Sequence, residues 1–449
     1  MTGSSVIDGN AFRTDHADSF AALTSEDRDL LLRRIRVLGP SYRLFYKRPV
    51  HIIRGQGSYL YGPNGEEYLD AYNNVASIGH AHPAVVEAVH KQMAQVNTHS
   101  RYLQRGIVEY SEQLLATFPS ELAHVMFTNS GSEANDLALR VAQQATGGTG
   151  VVVTREAYHG TSAAASAISP AVGAHMLGPH VRSVEVPNSL RGTSGEDPGP
   201  WFAEKVSAAF ADLRGSGVQP SAFIVDTIFS SDGVLPDPSV LGPAVAAARK
   251  EGAVFIADEV QPGFGRIGGH FWGFARHRVA PDLVTLGKPM GNGVPVAAMI
   301  ATTEVLHSFG MNVPYFNTFG GSSVPVAAAQ AVLNVIQSEG LAEHAEELGA
   351  RILNDLRVLG RKHRCIGDVR GAGMFLAVEI VQPGTTQPDP TRSLYLVNAM
   401  RDRGVLISVA GPHSNVLKIR PLLSYAEADA DRLVTTLAEA LADLDHSVE

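Results

Sequence analysis

Cysteine is almost missing: Cys365 stands alone among 449 residues. No intrachain disulfide framework can form, which predicts a reducing compartment, the cytoplasm. Basic charge is short too. Lysine and arginine number 36 against 45 aspartates and glutamates, leaving a net charge of −9. That balance argues against a nucleic-acid partner or a basic membrane surface. Apolar runs stay well below the ~20 residues that span a bilayer. The opening stretch, MTGSSVIDGNAFRTDHADSF, has no basic segment followed by an apolar core, so no secretory signal is expected. Lysine itself is scarce, occurring only at positions 47, 91, 205, 250, 288, 362 and 418. What the chain does have is apolar bulk: 45% hydrophobic against 18% charged residues. It therefore folds around a core, and its length allows two or more domains.

LTSEDRDLLLRRIRVLG has helical spacing, with Thr24 or Ser25 as N-cap. GSYLYGPNGEEYLDAYN alternates around a turn and predicts a hairpin. From about 80 to 325, short apolar runs alternate with helical patterns. The expected strands are 124–128, 150–154, 222–226, 253–258 and 282–287. GSEANDLALRVAQQA and PSVLGPAVAAARKEG are expected helices between them. Alternation of this kind predicts an α/β fold with a mostly parallel sheet. Further on come two helical stretches, strand-like GDVRGAGMFLAVEIV and NVLKIRPL, and a terminal helix. They suggest a smaller α+β domain that also takes in the N-terminal hairpin. The expected division is 1–79 and 326–449 for the small domain and 80–325 for the large one. RGTSGEDPGPW and QPGTTQPDPTR are expected as loop insertions.

Ligands in open α/β sheets sit beyond the carboxyl ends of the strands. Several expected strands end there in reactive residues. SGSEAN (130–135) opens a helix with small residues, a ready site for a phosphate, although ordinary capping suits it too. Asp258 follows VFIA, and a carboxylate placed so deep needs a positive partner or strong donor. A protonated ring nitrogen or a structural arginine would serve. Tyr158 could stack on a flat ring or simply pack. Lys288, between an apolar run and a glycine bend, is either a loop lysine or a buried amine suited to bonding a carbonyl. It is no Walker lysine, because Asp282 stands where that motif needs glycine. GFGRIG (263–268) matches a dinucleotide fingerprint in letters only, since DEVQP separates it from its strand and no crossover helix follows. His80 and His82 lie in GHAHP without a second ligand cluster nearby, so no metal is expected. A phosphate cradle, a ring stacker, a carboxylate for a ring nitrogen and a nucleophilic lysine together describe pyridoxal 5′-phosphate.

TNSGSEANDLALR, AYHG, FIADEVQPGFGRIGGHFWGF, PDLVTLGKPMGNGVPVAA, FNTFGG and VRGAGMF together resemble the class III (subgroup II) aminotransferases of PLP fold type I, from about residue 40 to 440. The resemblance implies a large domain with a mostly parallel central sheet, a smaller α+β domain, and a homodimer with active sites at the subunit interface. It also implies that Ser130, Gly131 and Ser132 hold the cofactor phosphate, Tyr158 stacks on its ring and Asp258 meets the ring nitrogen. Gln261 would contact the ring hydroxyl, Lys288 would bond the aldehyde, and Thr318 would reach the neighbouring subunit's cofactor phosphate.

Two departures matter. Ornithine-type members carry EPIQGEAG, whose second glutamate gates a carboxylate-binding arginine. Here DTIFSSDG puts Asp226 at the first glutamate and Ser231 at the gating one, while Lys418 of LKIRPL takes the arginine's place. Gly411, Pro412, Asn415 and Lys418, with RLFY, NNVASIGHAHP and NTHSRYLQRGIVEY, instead resemble the phospho-lyase branch. That branch acts on O-phosphoethanolamine or 5-phosphohydroxylysine. The resemblance implies loss of phosphate from a small phosphorylated amine, with an ω-aminotransferase using pyruvate or glyoxylate as the alternative. The substrate phosphate needs cations of its own: Lys418, Arg43 and Arg101 are the candidates. Arg420 stands behind them, because strand alternation is expected to point it elsewhere.

Overall fold

The computed structural model describes residues 12, 20–21, 23–39, 41–173, 177–188, 190–193 and 195–446. Expectations for most of the first twenty residues lie outside that set. Fifteen strands are numbered in chain order: β1 (Arg54–Gln56), β2 (Tyr59–Tyr61), β3 (Glu67–Asp70), β4 (Leu122–Thr128), β5 (Gly150–Thr154), β6 (Val181–Val184), β7 (Pro220–Asp226), β8 (Val254–Asp258), β9 (Leu283–Leu286), β10 (Ala297–Thr302), β11 (Ile366–Ala372), β12 (Phe375–Ile380), β13 (Val405–Leu406), β14 (Ser408–Ala410) and β15 (Val416–Ile419).

Seven of them form the central sheet in the order β4-β10-β9-β8-β7-β5-β6. Pairing is parallel from β9 through to β6, and β10 runs antiparallel to both β4 and β9. Every residue of β5 and β9 is buried, and β7 and β8 nearly match them, as a sheet covered on both faces requires. The expected strands lie within one to two residues of those observed. Two strands of this sheet escaped the sequence reading. β10 is Ala-rich, a composition with little strand signal, and β6 has only four residues.

The hairpin at GPNGEE is present as β2–β3, and β13 from the other end of the chain pairs parallel with β3. β11, β12, β15 and β14 make a third, antiparallel sheet. Helix Ser25–Leu38 is capped by Thr24, whose side chain accepts from the Asp27 amide. Both expected insertions run into helices, Pro198–Gly215 and Pro390–Asp402. Each starts with an aspartate cap and proline in the first turn, where its missing N–H costs nothing. Among the described residues no helix is long and apolar enough to cross a membrane.

The glycines of GFGRIG serve packing. A Cβ on Gly265 would come 2.8 Å from Ala342, and buried Arg266 donates to the carbonyls of Met374 and Pro421 and to Ser77. His80 meets Asp70 at 2.8 Å, and His82 caps helix Pro83–Gln95.

Candidate active site

Strand register brings three side chains level at the carboxyl edge of the central sheet. Asp226 pairs across from Asp258, and Asp258 across from Thr285. Lys288 follows two residues after β9, in a turn held by Met290 N to Gly287 O at 2.9 Å. Helix Gly131–Thr146 starts beside them, and Tyr158 and His159 come from the loop after β5. One cavity is lined by Gly131, Ser132, Tyr158, Asp258, Gln261 and Lys288, together with Asn135, His159, Gly160, Asp226 and Val260. Six residues expected at the site from the sequence therefore share it. Ser130 is the N-cap just behind, its hydroxyl accepting from the Glu133 amide at 3.3 Å.

Asp258 is 4% exposed and fully engaged. Its Oδ2 accepts from Asn135 Nδ2 at 3.0 Å and faces His159 Nδ1 at 2.7 Å; its Oδ1 accepts from the Val260 amide at 3.1 Å. Asn135 is itself fixed by donating to the His159 carbonyl (2.7 Å) and accepting from the Thr285 hydroxyl (2.7 Å). Asn135 and His159 were missed in the sequence, though Asn135 stood on the apolar stripe of its helix and His159 beside Tyr158. Burial holds Lys288 below the usual lysine range, with Asp258 and Asp226 pulling it partly back and Arg420 pushing it further down. Burial also raises Asp226, and neighbouring Asp258 adds to that. Tyr158 is raised by burial.

The helix start is an open cradle. Its first amides have no acceptor within the helix. A Cβ on Gly160 (φ 138°) would lie 2.3 Å from the Ser132 hydroxyl, so only glycine lets that loop approach. The Thr161 amide donates to the same hydroxyl at 3.1 Å.

Gln261 is committed at both ends: Nε2 donates to Ser230 Oγ at 2.5 Å, and Oε1 accepts from Arg420 Nη1 at 2.9 Å. Arg420 is thus at the site rather than turned away. Lys418 and Arg420 are two residues apart, so they share a strand face. Both are buried, and both lie near the Phe375 ring, at 5.7 and 6.0 Å. Arg420 also lies over the Tyr72 ring at 4.6 Å, and its Nη1 reaches Asn74 Oδ1 at 3.4 Å. Its Nε and the Asn74 Nδ2 are buried donors without a partner among the described residues. Neither cation forms a salt bridge among those residues. Burial and mutual repulsion hold Lys418 well below its ordinary range, and Asp226 and Asp232 oppose this; burial lowers Arg420 as well.

Arg43, Arg101 and Thr318 are not brought into this cavity. All three are exposed, and the Arg101 guanidinium lies 3.9 Å over the Phe316 ring. Asn317, beside Thr318, docks on the helix start through Asn129 (2.9 Å) and Glu133 (3.2 Å).

Residues 45–441 match the family model described as Aminotransferase class-III. A solved phospholyase from Arthrobacter, in complex with phosphoethanolamine, is 42% identical with a TM-score of 0.89, covering 92% of this chain and 99% of that one. The ethanolamine-phosphate phospho-lyase homolog 1 of Caenorhabditis elegans is 35% identical over 94% of this chain and 95% of its own length. The mitochondrial alanine–glyoxylate aminotransferase 2 homolog 2 of Arabidopsis thaliana is 39% identical, covering 92% of this chain and 87% of its own.

Proposed function

The chain belongs to the class-III aminotransferases, its cofactor is pyridoxal 5′-phosphate, and on that footing we propose that it is a phospho-lyase. The substrate we assign is O-phosphoethanolamine, cleaved to acetaldehyde, ammonia and phosphate. The observation that carries this reading is a pair of buried basic side chains, Lys418 and Arg420, of which Arg420 bonds the cavity residue Gln261, with no carboxylate paired to either among the described residues. A planar α-carboxylate is best served by one arginine fork, whereas a phosphate dianion suits two cations at different angles. The similar Arthrobacter phospholyase, solved with phosphoethanolamine, supports the same substrate class.

The cavity suits the cofactor: a glycine-lined helix start for its phosphate, a fully anchored carboxylate for its ring nitrogen, and a buried amine for its aldehyde. Ser130, Gly131 and Ser132 would hold the phosphate, Tyr158 and Gln261 the ring. When bound, the group supplies a carbonyl that takes the substrate amine and a ring that accepts an electron pair from the neighbouring carbon. Asp258, fixed by Asn135 and His159, holds a proton at the ring nitrogen. Lys288, its pKa lowered by burial, offers a neutral amine that removes the proton from the carbon beside the substrate nitrogen. Lys418 and Arg420 hold the substrate phosphate and stabilise it as the carbon–oxygen bond breaks. The released enamine hydrolyses to acetaldehyde and ammonia, and no keto acid is consumed.

The enzyme acts as a homodimer in this reading, with Thr318 reaching the neighbouring active site. Support comes from the exposed apolar side chains around that threonine and Arg101: Tyr102, Leu103, Phe316 and Phe319. The competing reading is an ω-aminotransferase passing the amine to pyruvate or glyoxylate, and the similar Arabidopsis protein carries such a name. A phosphate-release assay over a panel of phosphorylated amines, with and without pyruvate, separates them. Phosphate release without acceptor supports the lyase; amino-acid formation that requires the keto acid, without phosphate release, replaces it.

A further inference from the structure

Asp70, at the end of β3, organises the segment that follows it. Its Oδ1 accepts from the amides of Tyr72 (3.0 Å) and Asn73 (2.9 Å), and its Oδ2 meets His80. The segment is then tied both to the end of β15 and to the turn that carries Lys288. Ala71 O accepts from the Arg420 amide at 2.7 Å, and Ile78 N donates at 3.2 Å to Asn292 Oδ1 in that turn. Two asparagines stand side by side in this stretch with different fates. Asn73 uses its side chain locally, accepting from the Val75 amide at 2.9 Å. Asn74 turns inward.

Asn74 is 3% exposed, and its Oδ1 faces Arg420 Nη1 at 3.4 Å. A guanidinium has only donors, so it selects the oxygen end of the amide. The nitrogen end is left over: Asn74 Nδ2 has no partner among the described residues, and neither has Arg420 Nε. One unmet buried donor is costly, and two on touching side chains call for a shared acceptor. The cavity is next to them, because Arg420 Nη1 also donates to Gln261 Oε1 at 2.9 Å and Gln261 lines it with Lys288 and Asp258. Both acceptors on Nη1 are neutral carboxamides. They hold the guanidinium in place without neutralising it, which leaves its charge for an anion.

We propose that Asn74 is a specificity residue for the substrate: its Nδ2 donates, together with Arg420 Nε, to the phosphate group, while its Oδ1 orients the guanidinium. The inference rests on the reading that Arg420 holds that phosphate, and it adds a neutral donor to the two basic side chains. A carboxylate at position 74 would instead close on Arg420 and turn the anion away.

The test uses the holoenzyme, with inorganic phosphate as the binding probe and phosphoethanolamine as the substrate. In Asn74→Ala the dissociation constant of phosphate, read by calorimetry, rises roughly tenfold. KM for phosphoethanolamine rises by about the same factor while kcat stays within about threefold, the signature of a lost binding contact. Asn74→Asp keeps the shape but pairs with Arg420 and repels the anion, so both constants rise further, by roughly a hundredfold. A residue that only packs predicts the reverse order, because the isosteric aspartate disturbs its surroundings less. The aspartate variant decides the matter if the alanine variant does not fold. Unchanged phosphate binding in Asn74→Ala, as a buried water alone would give, overturns the inference, and so does an aspartate variant that binds phosphate as well as the alanine. If the parent releases no phosphate from phosphoethanolamine, the phospho-lyase reading falls and this inference with it. If the parent does release it and the Asn74 variants match the parent, Asn74 alone loses its role.

Discussion

Replacing Arg420 by methionine sets stability against function. Arg420 is 6% exposed, and burial lowers its pKa, so the folded state works against its charge. Methionine of similar length removes that cost, but it also strips Gln261 Oε1 of the 2.9 Å bond, a loss of about 1–3 kcal/mol. The two effects oppose each other, and the melting temperature should move by only about 1 °C per kcal/mol of the net difference in a chain of 449 residues. Binding has no such offset. A charge-assisted bond to a phosphate oxygen contributes about 1.5–3 kcal/mol, which is about 10- to 100-fold in kcat/KM for phosphoethanolamine. The assays are phosphate release under steady-state conditions and thermal unfolding of the holoenzyme. A melting point that collapses while kcat/KM holds would refute the reasoning, as would an equal kinetic loss with an amine that carries no phosphate.

Two further outcomes follow from the site. Borohydride treatment should fix the cofactor covalently to the parent protein at Lys288, bleaching its visible band, and Lys288→Ala should show no such adduct by mass spectrometry; an adduct elsewhere in the parent removes Lys288 from its role. Glu156 is raised to about 7, first by burial and then by Asp232. A raised carboxyl stabilises the fold below its unfolded pKa and loses that contribution as pH climbs through 7. Glu156→Gln should therefore melt higher than the parent at pH 8, with the gap closing toward pH 5; a gap independent of pH contradicts the assignment.

Much of the cavity was legible because its residues sit at strand ends, where an apolar run stops at a polar group and a glycine. Asp258 and Lys288 carry that signature. Asn135 did not: in sequence it is one polar position inside a helix, and its meaning depends on Thr285 and Asp258 lying opposite, which only the packed sheet reveals. Arg420 was misplaced by an argument that had the right period and the wrong arithmetic, since two residues along a strand return to the same face. β10 was lost because alanines and a methionine suit a helix as well as a strand until β4 and β9 close around them. The helices at Pro198 and Pro390 were legible in principle, because Asp-Pro after a loop marks a helix start.

The β9–β10 hairpin and the late strand β15 bear on how the enzyme matures. On the proposed assignments, the residues that would hold the cofactor within one chain all lie upstream of residue 302, whereas Lys418 and Arg420, assigned to the substrate phosphate, belong to β15 and the residue just after it. In that reading, the substrate end of the pocket is complete only once this late strand has docked against β12 and β14.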